Sequence, residues 1–231
     1  MAQAGNNNTA QNIARGQGEC NLPNTDPKRI VSYGYDKVSY AYRETDYDIE
    51  NSPYKEWLAE LTSRLNKGDR ILDLGCGCGV PVACILAERF AVTGVDISPV
   101  QIERARELGL NADFVCADMV ELELNDASFE AITCFYAIIH VPLEEQLGFI
   151  EKMPRWLATG GYLLITVGFS AWTGVEKDWL GVEGGQMYWS HAEISIYRAW
   201  FEEAGFSVVS EQFIPEGEGG HSQLLLQKRD P

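Results

Sequence analysis

The sequence predicts an α/β protein: a mostly parallel sheet of seven strands, helices on both of its faces and a β-hairpin at its C-terminal end. Three observations predict it. Apolar strand-like runs alternate with helix-like stretches from Arg70 to Cys116 as β-α-β-α-β, the pattern of a parallel sheet wound with helices. Glycines at 75, 77 and 79 follow the first of these strands, where a chain turns tightly or passes close to a ligand. The last two strand-like runs, Phe206 to Phe213 and Ser222 to Gln227, flank a glycine-rich turn and read as the hairpin. A length of 231 residues suffices for one such domain with a small appendage.

Residues 1–25 are rich in Asn, Gln, Ala and Gly and lack both an apolar docking segment and the apolar core of a secretory signal, so they read as a disordered tail. Residues 26–68 read as a helical cap. Asp26-Pro27 starts one helix, and Ile30 to Tyr42 carries tyrosines at 33, 35, 40 and 42. Ser52-Pro53 opens a second, with Trp57, Leu61 and Leu65 on one face and Gly68 as its stop.

Residues 69–231 form the main domain. Its elements are strand Ile71–Leu74, helix Val80–Phe90, strand Val92–Val95, helix Pro99–Leu108, strand Ala112–Cys116, strand Phe129–Phe135, helix Leu143–Leu157 and strand Tyr162–Val167. Pro154 should kink the long helix or end it early. Residues 168–190 show no period and several aromatics, and read as an irregular lid insertion. Ser190-His191-Ala192-Glu193 is a capping box for a helix with Ile194, Tyr197, Phe201 and Ala204 on its apolar face and Gly205 as its stop.

A formal charge of −16, with no basic stripe, excludes nucleic acid and anionic membranes as expected partners. No apolar run approaches the ~20 residues of a membrane helix, so the chain is expected to be soluble and cytoplasmic. Five of the six cysteines fall in strands, helices or their tight connections, as reduced, small apolar residues do. Cys76-x-Cys78 lacks a second Cys or His pair at zinc spacing, and no metal is expected.

The chemistry concentrates in Asp73-Leu74-Gly75-Cys76-Gly77-Cys78-Gly79. A dinucleotide fingerprint, G-x-G-x-x-G, would need glycine where Val80 stands, which weakens but leaves open a nicotinamide oxidoreductase. Asp96, ending the second strand in Val95-Asp96-Ile97-Ser98, is placed to accept both ribose hydroxyls of a nucleoside. Asp118 follows the third strand in Ala117-Asp118-Met119, where it suits an exocyclic amine with Met119 over the base.

With Ser128-Phe129-Glu130-Ala131-Ile132 and Gly160-Gly161-Tyr162-Leu163 added, this ordered motif set resembles the class I S-adenosylmethionine-dependent methyltransferases of small-molecule type, from about Tyr35 to Lys228. The resemblance implies their Rossmann-like fold and S-adenosylmethionine as cofactor. It implies cofactor contacts from Tyr35, Asp73, Gly75, Gly77, Asp96, Ile97, Asp118, Met119 and Tyr136, the tyrosine segment from Tyr35 to Tyr42 covering the cofactor and facing the acceptor. Thr159 departs from the proline usual before the paired glycines.

Phe135-Tyr136-Ala137-Ile138-Ile139-His140 lacks the Asn-Pro-Pro-Tyr type motif of relatives that methylate amino groups of bases or glutamine. Tyr33, Tyr42, Trp172 and Trp189 are the expected walls of a flat pocket for a small, aromatic or natural-product-like acceptor. O-methylation is favoured, N-methylation is the alternative, and a cofactor-binding scaffold without turnover is the reading from another class. Of the three histidines, His191 is the first candidate base, because the start of a helix disfavours the imidazolium. His140, in an apolar stretch, is the second candidate, and His221 is expected to be peripheral.

Overall fold

The computed structural model describes residues 25–217 and 219–230, so the predicted tail, Thr25 apart, lies outside the described residues. Helix α1 (Pro27–Tyr42) starts as expected: Asp26 caps it by accepting from the Lys28 amide at 2.9 Å. Helix α2 (Tyr54–Ser63) buries Tyr54, Leu58, Leu61 and, just beyond it, Leu65. That stripe turns Trp57 to the flank, where it stacks on Phe135. Ser52 does not cap α2; its hydroxyl donates to the Ile49 carbonyl instead.

The sheet strands are β1 (Arg70–Leu74), β2 (Ala91–Asp96), β3 (Ala112–Cys116), β4 (Phe129–Cys134) and β5 (Leu157–Gly168), with helices α3 (Val82–Ala87), α4 (Pro99–Glu107) and α5 (Leu143–Trp156) between them. Strands β6 (Trp172–Glu176) and β7 (Met187–His191) follow, then α6 (Ile194–Glu203), β8 (Phe206–Glu216) and β9 (Gly219–Lys228). The order β3-β2-β1-β4-β5-β9-β8 is parallel up to β5, and β9 then pairs antiparallel with both β5 and β8. This is the predicted seven-stranded sheet with its terminal hairpin.

Alternation along each strand divides the core. Leu72, Ile132, Leu163 and Leu224 meet Phe149, Met153 and Trp156 of α5 and Tyr197 and Phe201 of α6 on one face. Ile71, Ala131, Leu164 and Leu225 meet Leu58, Leu61, Leu86 and Ile102 of α2, α3 and α4 on the other. All parallel strands thus point their C-terminal ends to one edge, the edge at which open α/β sheets bind ligands.

Three expectations are corrected. Helix α5 runs on through Pro154 to Trp156; only the last turn loses a hydrogen bond there, and buried Met153 and Trp156 anchor it. The lid is no irregular loop: β6 and β7 form an antiparallel pair, and β7 docks on α1, where a Cβ on Gly34 would meet the Gln186 carbonyl oxygen. The capping box does not form. Ser190 and His191 are ladder partners of Thr173 and Trp172, so α6 begins only at Ile194, with Glu193 at its cap position making no side-chain capping bond. Pairing with β6 and burial of Ser190 outweigh a local cap. Among the described residues no helix is long and apolar enough to cross a membrane.

Candidate active site

At the C-terminal edge of β1, β2 and β4 the glycine loop is held by the Gly75 and Cys76 amides, which both donate to the Val95 carbonyl. Gly75 has φ +71, and a Cβ there would come within 2.2 Å of the Ala137 Cβ; only glycine keeps this passage open. The Gly77 amide donates to Asp96 Oδ2 at 2.9 Å and the Ser98 amide to Asp96 Oδ1 at 2.9 Å. Burial pushes the Asp96 carboxyl up to about 6 against these two amides. Asp73 lies deeper. Burial pushes it up to about 7, Thr133 donates to its Oδ1 at 2.7 Å, and its Oδ2 is buried without a partner.

Gly75, Gly77 and Asp96 border a cavity closed from above by Lys28, Val31, Tyr35 and Tyr42 of α1. Helix α1 is strapped to α4: the Ser98 hydroxyl donates to Asp36 at 2.6 Å, Ser39 to Gln101 Oε1 at 2.7 Å, and Arg104 to the Ser39 and Arg43 carbonyls at 2.6 and 2.7 Å. Tyr35, Gly75, Gly77, Asp96, Ile97, Asp118, Met119 and Tyr136 all reach this cavity. Asp73 borders the adjoining recess beside the glycine loop. Asp118 is more engaged than expected. Its Oδ1 accepts from the Val120 amide and its Oδ2 faces Lys28 Nζ at 2.9 Å. Burial opposes the Lys28 charge, but its bonds to Asp118 and Glu145 outweigh that and raise its pKa.

A second, open chamber adjoins the first, and Tyr35, Tyr42, Tyr136 and His140 border both. Trp57, Trp179 and Trp189 add the aromatic walls. Tyr136 adopts φ +53, an unfavourable conformation for a bulky residue, held where the two chambers meet. His140 ends a short 3₁₀ turn (Ile138–His140). Its Nδ1 lies 2.7 Å from the Tyr188 carbonyl, which can only accept, so Nδ1 carries the proton and Nε2 accepts from the Tyr35 hydroxyl at 2.9 Å. Burial pushes His140 down to about 4, and the ring is neutral above that pH.

The structure moves three predicted residues elsewhere. His191 ends β7 rather than starting a helix, so no helix end acts on it. Burial lowers its pKa, its Nδ1 lies 2.6 Å from the Ser170 carbonyl, and its ring packs over Gly168 and borders neither chamber. Tyr33, two residues from Tyr35, falls on the opposite side of α1, exposed and beside an outer groove with Gly184 and Gln186. Trp172, on the edge strand β6, is 48% exposed and also lies off both chambers. Conversely, His221 is not peripheral: it borders the second chamber, with Nδ1 3.3 Å from Glu216. Arg43 and Glu216 also reach the second chamber without any sequence motif to announce them.

The profile of a family described as "Methyltransferase domain" matches residues 71–161, from β1 into β5. Residues 71–161 carry a methyltransferase domain. In sequence, this domain is similar to the 27-O-demethylrifamycin SV methyltransferase of Amycolatopsis mediterranei, 35% identical over 132 residues that cover 52% of this chain and 48% of the relative. The chain spans about half the length of such relatives. In fold, the methyltransferase domain resembles the 1,6-didemethyltoxoflavin-N1-methyltransferase of Burkholderia thailandensis, solved with 1,6-didemethyltoxoflavin and S-adenosylhomocysteine (TM-score 0.65, 20% identity, 91% of this chain and 94% of that one). It resembles equally the [4+2]-cyclase SpnF (TM-score 0.65, 20% identity, 88% and 96%).

Proposed function

We propose that the chain is an S-adenosylmethionine-dependent methyltransferase for a small, aromatic, natural-product-like acceptor, with oxygen the favoured target. The wall shared by the two chambers carries this reading. Tyr35, Tyr42, Tyr136 and His140 border both, so a donor in the closed chamber and an acceptor in the aromatic one meet across them.

The closed chamber fits this donor. Each Asp96 oxygen accepts one backbone amide and keeps capacity for a ribose hydroxyl. The unpartnered Asp73 Oδ2 suits an α-ammonium, and Asp118 with Met119 suits the adenine. Lys28 offsets Asp118 on the wall, and the remaining charge of Asp96 opposes a pyrophosphate and favours a sulfonium, which argues against a nicotinamide dinucleotide. When bound, S-adenosylmethionine supplies a methyl carbon activated by its sulfonium.

At the shared wall His140 holds its acceptor nitrogen in one orientation, set by the Tyr188 carbonyl. An acceptor's proton reaches Nε2 in place of the Tyr35 hydroxyl or through it. N-methylation of a heterocycle is the second reading, favoured by the substrate named for the toxoflavin neighbour, and it asks less of a base.

Incubation with methyl-labelled S-adenosylmethionine and a panel of phenols, enols, amines and thiols tests the proposal. Label should pass to aromatic hydroxyl compounds. Cofactor binding without transfer to any of them would leave a binding or scaffold role. His140→Ala should lower kcat about 100-fold with cofactor affinity little changed, whereas His191→Ala should have a small effect. The reverse ranking would return the base to His191.

A further inference from the structure

Glu216 ends β8, His221 stands near the start of β9, and both border the aromatic chamber. His221 Nδ1 lies 3.3 Å from Glu216 Oε2, oblique to the line of a hydrogen bond, and is otherwise buried without a partner. A carboxylate only accepts, so Nδ1 carries the proton and Nε2 presents its lone pair. Among the described residues nothing is hydrogen-bonded to that Nε2. The ring is held from two sides. Tyr136 meets it edge-on at 5.2 Å, and His191 lies behind it at 6.1 Å, itself packed over Gly168, the ladder partner of His221. His221, and then Tyr136, hold the Glu216 carboxyl below the usual carboxylate range against its partial burial, so it is charged at neutral pH. Tyr136 is the residue kept at φ +53 where the two chambers meet, which sets the pair beside their junction.

His140 serves the same chamber differently. Its Nε2 is engaged by the Tyr35 hydroxyl, its ring is buried, and a group pushed down to about 4 gives up at neutral pH any proton it receives. It can orient a hydroxyl, but the proton must finish elsewhere. We propose that His221, steadied by Glu216, is the final proton acceptor for the hydroxyl of the acceptor molecule, which His140 orients. This rests on the methyl-transfer reading above. In the step the hydroxyl O–H bond breaks, the oxygen pair bonds to the methyl carbon, and the carbon–sulfur pair stays on sulfur. The proton ends on His221 Nε2, directly or after passing His140, and the open chamber returns it to solvent. Glu216 is a positioning residue, offsetting the imidazolium charge through Nδ1.

Para-nitrophenol, whose phenolate alone is yellow, reads the proton transfer without turnover. It is titrated into ligand-free wild type, H221N, E216Q and H140A at a pH where the free phenol is mostly neutral. Wild type should hold it largely as phenolate. At saturation H221N should lower the yellow fraction at least about fivefold and E216Q about threefold, with part of the loss recovered in E216D. H140A should weaken binding yet leave the bound phenol ionised. In turnover, H221N should lower kcat about 100-fold for weakly acidic phenols and less than about fivefold for para-nitrophenol, whereas a structural role predicts equal defects. H221Q serves if melting curves show that H221N does not fold. A wild type that binds the phenol neutral or not at all, ionisation lost in H140A but kept in H221N, or equal kinetic defects would each overturn the proposal. A wild type that ionises the phenol through His221 but passes methyl label to no hydroxyl compound would refute the methyl-transfer reading and leave His221 as the base of the chamber.

Discussion

Asp96→Ala is expected to weaken S-adenosylmethionine binding by ~2–4 kcal/mol, or about 30- to 1,000-fold, in a protein that still folds. Two losses combine. The ribose loses its charge-assisted partners, and the Gly77 and Ser98 amides that Asp96 holds are released, so the glycine loop loses its preset shape. Because burial pushes this carboxyl up to about 6, wild-type affinity should also fall as pH drops through that value, while the mutant keeps only the pH dependence set by Asp73. Calorimetry between pH 5 and 8 reads both effects. Unchanged affinity in the folded mutant would refute the assignment of the closed chamber to the cofactor.

Asp73→Asn should separate stability from binding. The Asp73 carboxyl is pushed up to about 7 by burial, with the Thr133 bond opposing and the Asp96 charge adding to the rise. The folded chain therefore holds a proton that the unfolded chain, with a pKa near 3.9, releases. The stabilisation this brings is full below about pH 4 and is lost as pH rises through about 7. At pH 8 the ligand-free wild type must ionise a buried carboxyl that the asparagine variant lacks. The variant should be the more stable by roughly 1–4 kcal/mol at pH 8, the gap closing toward pH 4. It should also bind S-adenosylmethionine about tenfold more weakly, having lost the charge that faces the ammonium. Melting curves of the ligand-free proteins across that range check the first claim, and a variant less stable than wild type at pH 8 would contradict it.

Much of the closed chamber was legible in the residues because its signals are local. Gly75, Gly77 and Asp96 sit at strand ends, and strand ends follow from short-range alternation. The second chamber was legible only in part. Tyr42 and Trp189 reach the second chamber, but Tyr33 and Trp172, equally aromatic, do not. Which face of α1 or of β7 turns inward depends on how the two pack together, and composition carries no record of that. His191 was misplaced because the four-residue capping pattern is read over one turn, whereas the pairing with β6 that overrides it spans nearly twenty residues.

The sequence by itself determined the order of strands and helices, the glycine passage after β1 and the acids at the strand ends, since each depends on neighbours within a few residues. Only the tertiary structure decided what completes the site. Helix α1 is strapped across the closed chamber through Asp36, Ser39 and Arg104. The β8–β9 hairpin brings Glu216 and His221 to the open chamber, and the end of α1 brings Arg43 to the recess that Asp73 also borders. Those juxtapositions join residues tens to more than a hundred positions apart, and no local preference encodes them; they follow from burying both faces of one sheet at once.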